Sequence, residues 1–129
     1  MLLRKKSVLG GKIEATAGTA ETIAAADCTI NAYDLVINPE FEMQERQGQG
    51  GFGRLASIPG ARRGRATFSV DLAYDGTNVP AWATTYLPAC GLVLSTATYK
   101  PRTEVPGTNV KTATIAGFFD GVRRQIYGA

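Results

Sequence analysis

The chain has no histidine, which removes the commonest general base and the commonest metal ligand. Ser7, Ser57, Ser69 and Ser95 stand in no nucleophile-elbow context, and Cys28 and Cys90 lack a histidine partner. Asp71 and Asp75 lie four residues apart on one expected strand, where a carboxylate pair would suit general acid–base work. On an alternating strand, a solvated polar face is the simpler reading. Glu40, Glu42 and Glu45 offer hard oxygen ligands, but without the spacing of a cation-binding loop. Residues 48–53 spell G-x-G-x-x-G, yet a dinucleotide site needs a hydrophobic strand before that motif and a helix after it. Here E-M-Q-E-R-Q precedes the motif, and Pro59-Gly60 soon follows. The expectation is a protein that is not an enzyme, with no catalytic residue, cofactor or metal.

Charge gives a second candidate chemistry. The formal net charge of +3 is concentrated in Arg4-Lys5-Lys6, Arg62-Arg63-x-Arg65 and Arg123-Arg124. Arg62, Arg63 and Arg65 near Phe52 resemble a platform for single-stranded nucleic acid, but such platforms interleave aromatics with charge on an exposed strand. The strand expected over 65–74 sends its aromatics to an apolar face instead. The arginine clusters therefore read as solvated or interfacial surface. No long apolar run follows the basic N-terminal residues, so neither a signal peptide nor a membrane span is expected, and the reading is a soluble protein made inside the cell. Cys28 and Cys90 fit buried free thiols better than a disulfide framework.

Chain length and the Gly-, Thr- and Ala-rich composition favour one domain of short strands joined by turns. A single helix is expected at about 79–90: Asn78 as cap, Pro80 in the first turn, Trp82 and Tyr86 on one stripe, Gly91 as the left-handed stop. Pro88 should end or kink it near Tyr86. Strands are expected at 8–16, where the Gly10-Gly11 pair allows a bulge, and at 28–37, with Tyr33, Leu35 and Ile37 on one face. Residues 17–27 read as an irregular connection. Further extended pieces are expected at 40–46, where Phe41 and Met43 alternate with glutamates, at 65–74 and at 92–99. Residues 100–108 read as a loop. Asp120-Gly121 predicts a two-residue hairpin between 109–119 and 122–128, setting Phe119 opposite Val122 and Ile115 opposite Ile126, with Phe118–Arg123 and Ala116–Gln125 on the other face. Between these pieces, 47–64 reads as an extended loop whose isolated Phe52, Leu55 and Ile58 suit a segment that orders on a partner.

Four stretches carry a family resemblance: K-I-E-A-T-A-G-T (12–19), S-I-P-G-A-R-R-G-R-A-T-F-S-V-D-L (57–72), V-P-A-W-A-T-T-Y-L-P-A-C-G (79–91) and A-G-F-F-D-G-V-R-R-Q-I-Y-G-A (116–129). They resemble the N-terminal part of the tail tube proteins of tailed bacteriophages, which carry segments of the type "KIETTYGT", "ATISFEVEL", "PAW…LLRACGF" and "YRDGV…GA". Two departures are Pro88, where relatives have a polar or basic helix residue, and the end of the sequence at Gly128-Ala129, where relatives continue into further strands. A sheet edge left open there is expected to pair with another subunit.

The resemblance implies a mainly β fold, a β-sandwich or barrel-like sheet with one short flanking helix. It also implies subunits that form hexameric rings stacked into a tube, joined by an extended hairpin or loop, with DNA passing transiently and without sequence specificity through the lumen. Other phage tail proteins would be partners, the location would be the virion tail, and assembly would occur in the host cytoplasm. The expected subunit-interface residues are Phe52, Arg54, Leu55, Ile58, Arg62 and Arg63, with Glu40, Glu42 and Glu45 as their counter-charges. Alternatives are a head decoration, neck or tail-terminator protein of a phage, or a small nucleic-acid-binding β-barrel.

Overall fold

The computed structural model describes residues 7–48, 50, 53–72, 76–77, 79–96, 98–102 and 111–129, with the backbone alone for Arg54. In order they form β1 (Ser7–Ile13), a 3-10 turn (Ala25–Asp27), β2 (Ala32–Gln47), β3 (Arg54–Val70), α1 (Ala81–Ala89), β4 (Leu92–Ser95), β5 (Thr98–Pro101), β6 (Ala113–Phe119) and β7 (Val122–Ile126). The fold is mainly β with one α-helix. Its antiparallel sheets have the orders β1-β6-β7, β2-β3 and β4-β5, and they do not close into a barrel.

The β6–β7 hairpin has the expected register, including Phe119 opposite Val122 and Ile115 opposite Ile126. Asp120 (φ 44°) and Gly121 (φ 87°) both take the left-handed conformations that such a turn requires. The Gly10-Gly11 pair makes no bulge, because β1 pairs with β6 without interruption from Ser7 to Ile13. Its role is close approach. A Cβ on Gly10 would sit 2.5 Å from Ile23 Cγ2, and one on Gly11 would sit 2.6 Å from the Tyr86 hydroxyl. The two glycines face opposite ways, so the 15–30 connection covers one face of the sheet and α1 covers the other.

Helix α1, expected at about 79–90, starts two residues later and ends one residue earlier. Pro80 precedes it, and its carbonyl accepts the N–H groups of Ala83 (2.9 Å) and Thr84 (3.2 Å); Asn78 lies outside the described residues. Pro88 remains inside the helix. The bond it deletes belongs to the carbonyl of Thr84, an exposed residue that water can reach, and the ladder resumes with Cys90 N–H to Tyr86 O at 3.0 Å. Gly91 then stops the helix at φ 81°. The residue buried deepest on α1 is Ala83, while Trp82 and Tyr86 are half-buried. The Tyr86 ring lies 5.2 Å from Phe68, and burial, with a smaller contribution from Cys28, pushes its hydroxyl up to about 12.

Several expectations need correction. Residues 92–99 form two strands, β4 and the start of β5, turning at Thr96 (φ 61°). The strand expected to reach 74 stops at Val70: Ala66, Phe68 and Val70 are half-buried, but Leu72 is 81% exposed. Asp71 accepts a hydrogen bond from the Tyr33 hydroxyl at 2.9 Å, and Asp75 lies outside the described residues. On β2, Ile37 is buried as expected, but a register shift between Tyr33 and Val36, with Asp34 at φ 52°, turns Tyr33 out to solvent. Both cysteines are free; Cys28 is half-buried and Cys90 exposed, so neither is the fully buried thiol expected.

One buried carboxylate closes the body. Glu14, 5% exposed, follows β1 and accepts from Gly18 N–H (2.8 Å) and the Thr112 hydroxyl (2.6 Å) on Oε2. Its Oε1 accepts from the Thr114 hydroxyl (2.9 Å) and Gly128 N–H (2.7 Å). Burial pushes the acid up, but the four hydrogen bonds together outweigh it and hold Glu14 below its ordinary value. A lowered carboxylate contributes stability that is fully present above its unfolded value, near 4.5, and is lost as pH falls through the folded value. Glu14→Gln should cost about 1–3 kcal/mol at neutral pH, because charge-assisted acceptors are lost at buried donors. Denaturant titrations of the variant should also show a shallower loss of stability below about pH 4.5.

Candidate functional site

The feature that stands apart from the body is the β2–β3 ribbon. Its pairing runs from Ala32 opposite Val70 to Gln47 opposite Arg54. Beyond Asn38 and Arg65 almost every described residue is exposed. At roughly 3.3 Å per residue, the arm from Asn38 to Gln47 is about 30 Å long.

The expected loop at 47–64 is therefore largely strand, since Arg54 to Gly64 belong to β3. Two register shifts hid this from the sequence. Between Phe41 and Met43 the partners step from Arg62 to Pro59, and between Gln44 and Arg46 they step from Ile58 to Leu55. Each inserts an extra residue on β3, so the two-residue period is broken twice within ten residues. Pro59 is tolerated because both strands of a two-stranded ribbon are edges.

The arm brings most of the expected interface residues together. Glu40, Glu42 and Glu45 lie on β2, and Leu55, Ile58, Arg62 and Arg63 lie on β3, all exposed. The Arg54 backbone pairs with Gln47, and Phe52 lies outside the described residues. The register divides the arginines: Arg63 sits opposite Glu40, Arg62 opposite Phe41 and Arg65 opposite Asn38. Neighbouring strand positions point to opposite faces, so Arg62 and Arg63 do not form one basic surface. Arg63 and Arg65, two residues apart, share one face, beside Glu40 and Asn38.

The sequence placed Phe41 and Met43 on an alternating extended piece, but they were not among the expected interface residues; at 66% and 63% they are the most exposed large apolar groups among the described residues of the arm. Their signal was visible as the alternation E-F-E-M over 40–43, the pattern of a strand with one covered face. Near the tip, an open groove of about 190 Å³ lined by Glu45, Arg46, Gln47, Leu55, Ala56 and Ser57 is below the ~300–1,000 Å³ of small-molecule sites. No group of three or more potential metal-ligating side chains occurs among the described residues. What the arm offers chemically is a recognition surface of exposed apolar groups, opposite charges and unpaired strand edges.

Compared with known proteins, the chain matches no family model, no curated protein and no solved structure. Among the described residues, no helix is long and apolar enough to cross a membrane.

The outer residues of the arm are exposed, so the arm should contribute little to the stability of the body. Deleting 49–58 should leave the melting temperature within about 3 °C of the full chain, a change worth under about 1 kcal/mol. A calorimetric scan of the two proteins checks this.

Proposed function

We propose that this chain is a structural subunit that works by associating with copies of itself, and specifically a tail tube subunit of a tailed bacteriophage that builds stacked rings around a DNA conduit. The observation that carries the reading is the unsupported arm. A two-stranded hairpin is marginal in water by itself, yet this one extends about 30 Å with Phe41, Met43, Leu55 and Ile58 between 46% and 66% exposed. Such a ribbon becomes stable when a second surface covers it. The resemblance of 12–19, 57–72, 79–91 and 116–129 to tail tube proteins supplies the identity of the assembly.

The charge distribution suits this role. A conduit releases DNA more readily when its wall does not present Lys and Arg to the phosphates. Arg62 and Arg63 on the arm then belong in contacts between subunits, where carboxylates such as Glu40, Glu42 and Glu45 of another copy set register and orientation. Exposed pairs of this kind are screened by salt.

Negative-stain electron microscopy and sedimentation velocity of the purified full chain test the proposal. Rings or tubes are expected, with slower association as salt rises from low to several hundred millimolar. Monodisperse monomers at high concentration, with 47–64 open to proteases throughout, would refute it. A single ring type that binds capsid shells without growing into tubes would move the role to the neck or the head.

A further inference from the structure

We infer that the docking surface of the arm is the face carrying Phe41 and Met43, and that its occupant is the sheet of a second copy laid along the open edge of β7. This deepens the self-association reading and rests on it. Along β2, Pro39, Phe41 and Met43 share a face with Ile37, whereas Glu40, Glu42 and Gln44 share a face with Asn38.

The body fixes which face is which. Ile37 is 3% exposed, and a Cβ on Gly117 of β6 would meet its Cδ1 at 2.8 Å. Gly64, opposite Pro39, lies against Ile126 of β7, where a Cβ would come within 2.8 Å of Cγ1. Arg124 of β7 donates to the Ile37 carbonyl at 2.9 Å at the same crossing. The ribbon therefore crosses β6 at Ile37 and β7 at Gly64, and the next residues on that face pass beyond the β7 edge. Those residues are Phe41 with Arg62 opposite, then Met43 with Pro59 opposite.

The other face is made differently. Next to the body Asn38 opposes Arg65 and Glu40 opposes Arg63; Ile58, opposite Gln44, and Leu55, opposite Arg46, lie on this face only nearer the tip. Over 38–43 the ribbon is polar on this face and, Arg62 apart, apolar on the other, the pattern of a strand half-covered by protein. Among the described residues the cover stops at Gly64.

Spacing and continuity identify the occupant. Phe41 and Met43 lie two and four residues past Pro39, about 7 and 13 Å along the ribbon, while neighbouring strands in a sheet lie about 4.8 Å apart. That reach equals one to three further strands beside β7. β7 has β6 on one side and no strand on the other among the described residues. A sheet from a second copy at that edge would take the free backbone groups of β7 and the underside of the arm together, as β6 and β7 take Ile37 and Gly64 here.

The test compares wild type with two variants by sedimentation velocity and electron microscopy, circular dichroism confirming that each folds. The Phe41→Ser/Met43→Ser protein should need at least about tenfold more protein to assemble, the equivalent of 1.4 kcal/mol. The Asn38→Ser/Arg65→Ser protein, changed on the outer face at a pair outside the proposed subunit contacts, should assemble within about twofold of wild type. Normal assembly by the first variant, or loss of assembly in the second alone, overturns the docking face while self-association stands; a monomeric wild type overturns both. A photo-crosslinker placed at Met43, in a mixture of isotopically light and heavy chains, should link light to heavy within β1–β6–β7. Links to the other copy's arm would overturn the sheet as recipient.

Discussion

The carboxylate of Glu14 is the point at which three distant parts of the chain become one body. Its donors come from the turn after β1, from the threonines at the start of β6 and from the backbone beyond β7. Thr114 relays the connection further: its hydroxyl donates to Glu14 and accepts from Glu21 N–H at 3.1 Å. Glu21 in turn pairs with Lys12 at 3.3 Å and accepts from Ala15 N–H. Ala113 and Ala129 exchange backbone hydrogen bonds next to this cluster, one residue out of phase with the β6–β7 ladder, so the left-handed Gly128 between them forms a bulge. The sheet's end is thus held by charge-assisted bonds where a small domain has little apolar surface to spend.

Close packing supplies the rest. The fully buried side chains are few and mostly small, with Leu9, Ala113, Thr114 and Ala116 at the centre. The glycines of β1 and β6 admit Ile23, Tyr86, Ile37 and Phe119 directly onto the backbone. A sheet dressed this thinly is covered on both faces by short pieces, the 15–30 connection and α1, and it has no layer left to extend over the arm. The exposure of Phe41 and Met43 follows from that geometry, because the covering surface ends with β7.

How much of this was legible depended on whether the signal was local. Asp120-Gly121 names its own turn, and the turn dictates register, so β6 and β7 could be written out pair by pair. Gly91 and Pro80 bracketed the helix for equally local reasons. Pro88 misled because the residue whose carbonyl it deprives, Thr84, is exposed, a fact of tertiary placement. The arm was half-legible: Leu55, Ile58, Glu40, Glu42, Glu45, Arg62 and Arg63 were recognised as surface with a purpose, but two bulges on β3 erased the alternation that would have marked a strand. The Gly10-Gly11 pair was read as a bulge because a sequence cannot show that Tyr86 and Ile23, distant along the chain, press on the two glycines from opposite sides.

The same distribution of polar groups bears on what kind of function the molecule can have. A catalytic carboxylate must keep a lone pair or a proton for its substrate. Glu14, the one acid buried among the described residues, gives both oxygens to four internal donors and is held in its charged form by them. The acids of the arm, Glu40, Glu42 and Glu45, are exposed, with Glu40 opposite Arg63. Buried polarity here closes the fold, while on the arm exposed charges and exposed apolar groups lie side by side. The described part of the molecule most open to solvent is the arm, with Phe41 and Met43 exposed on one of its faces.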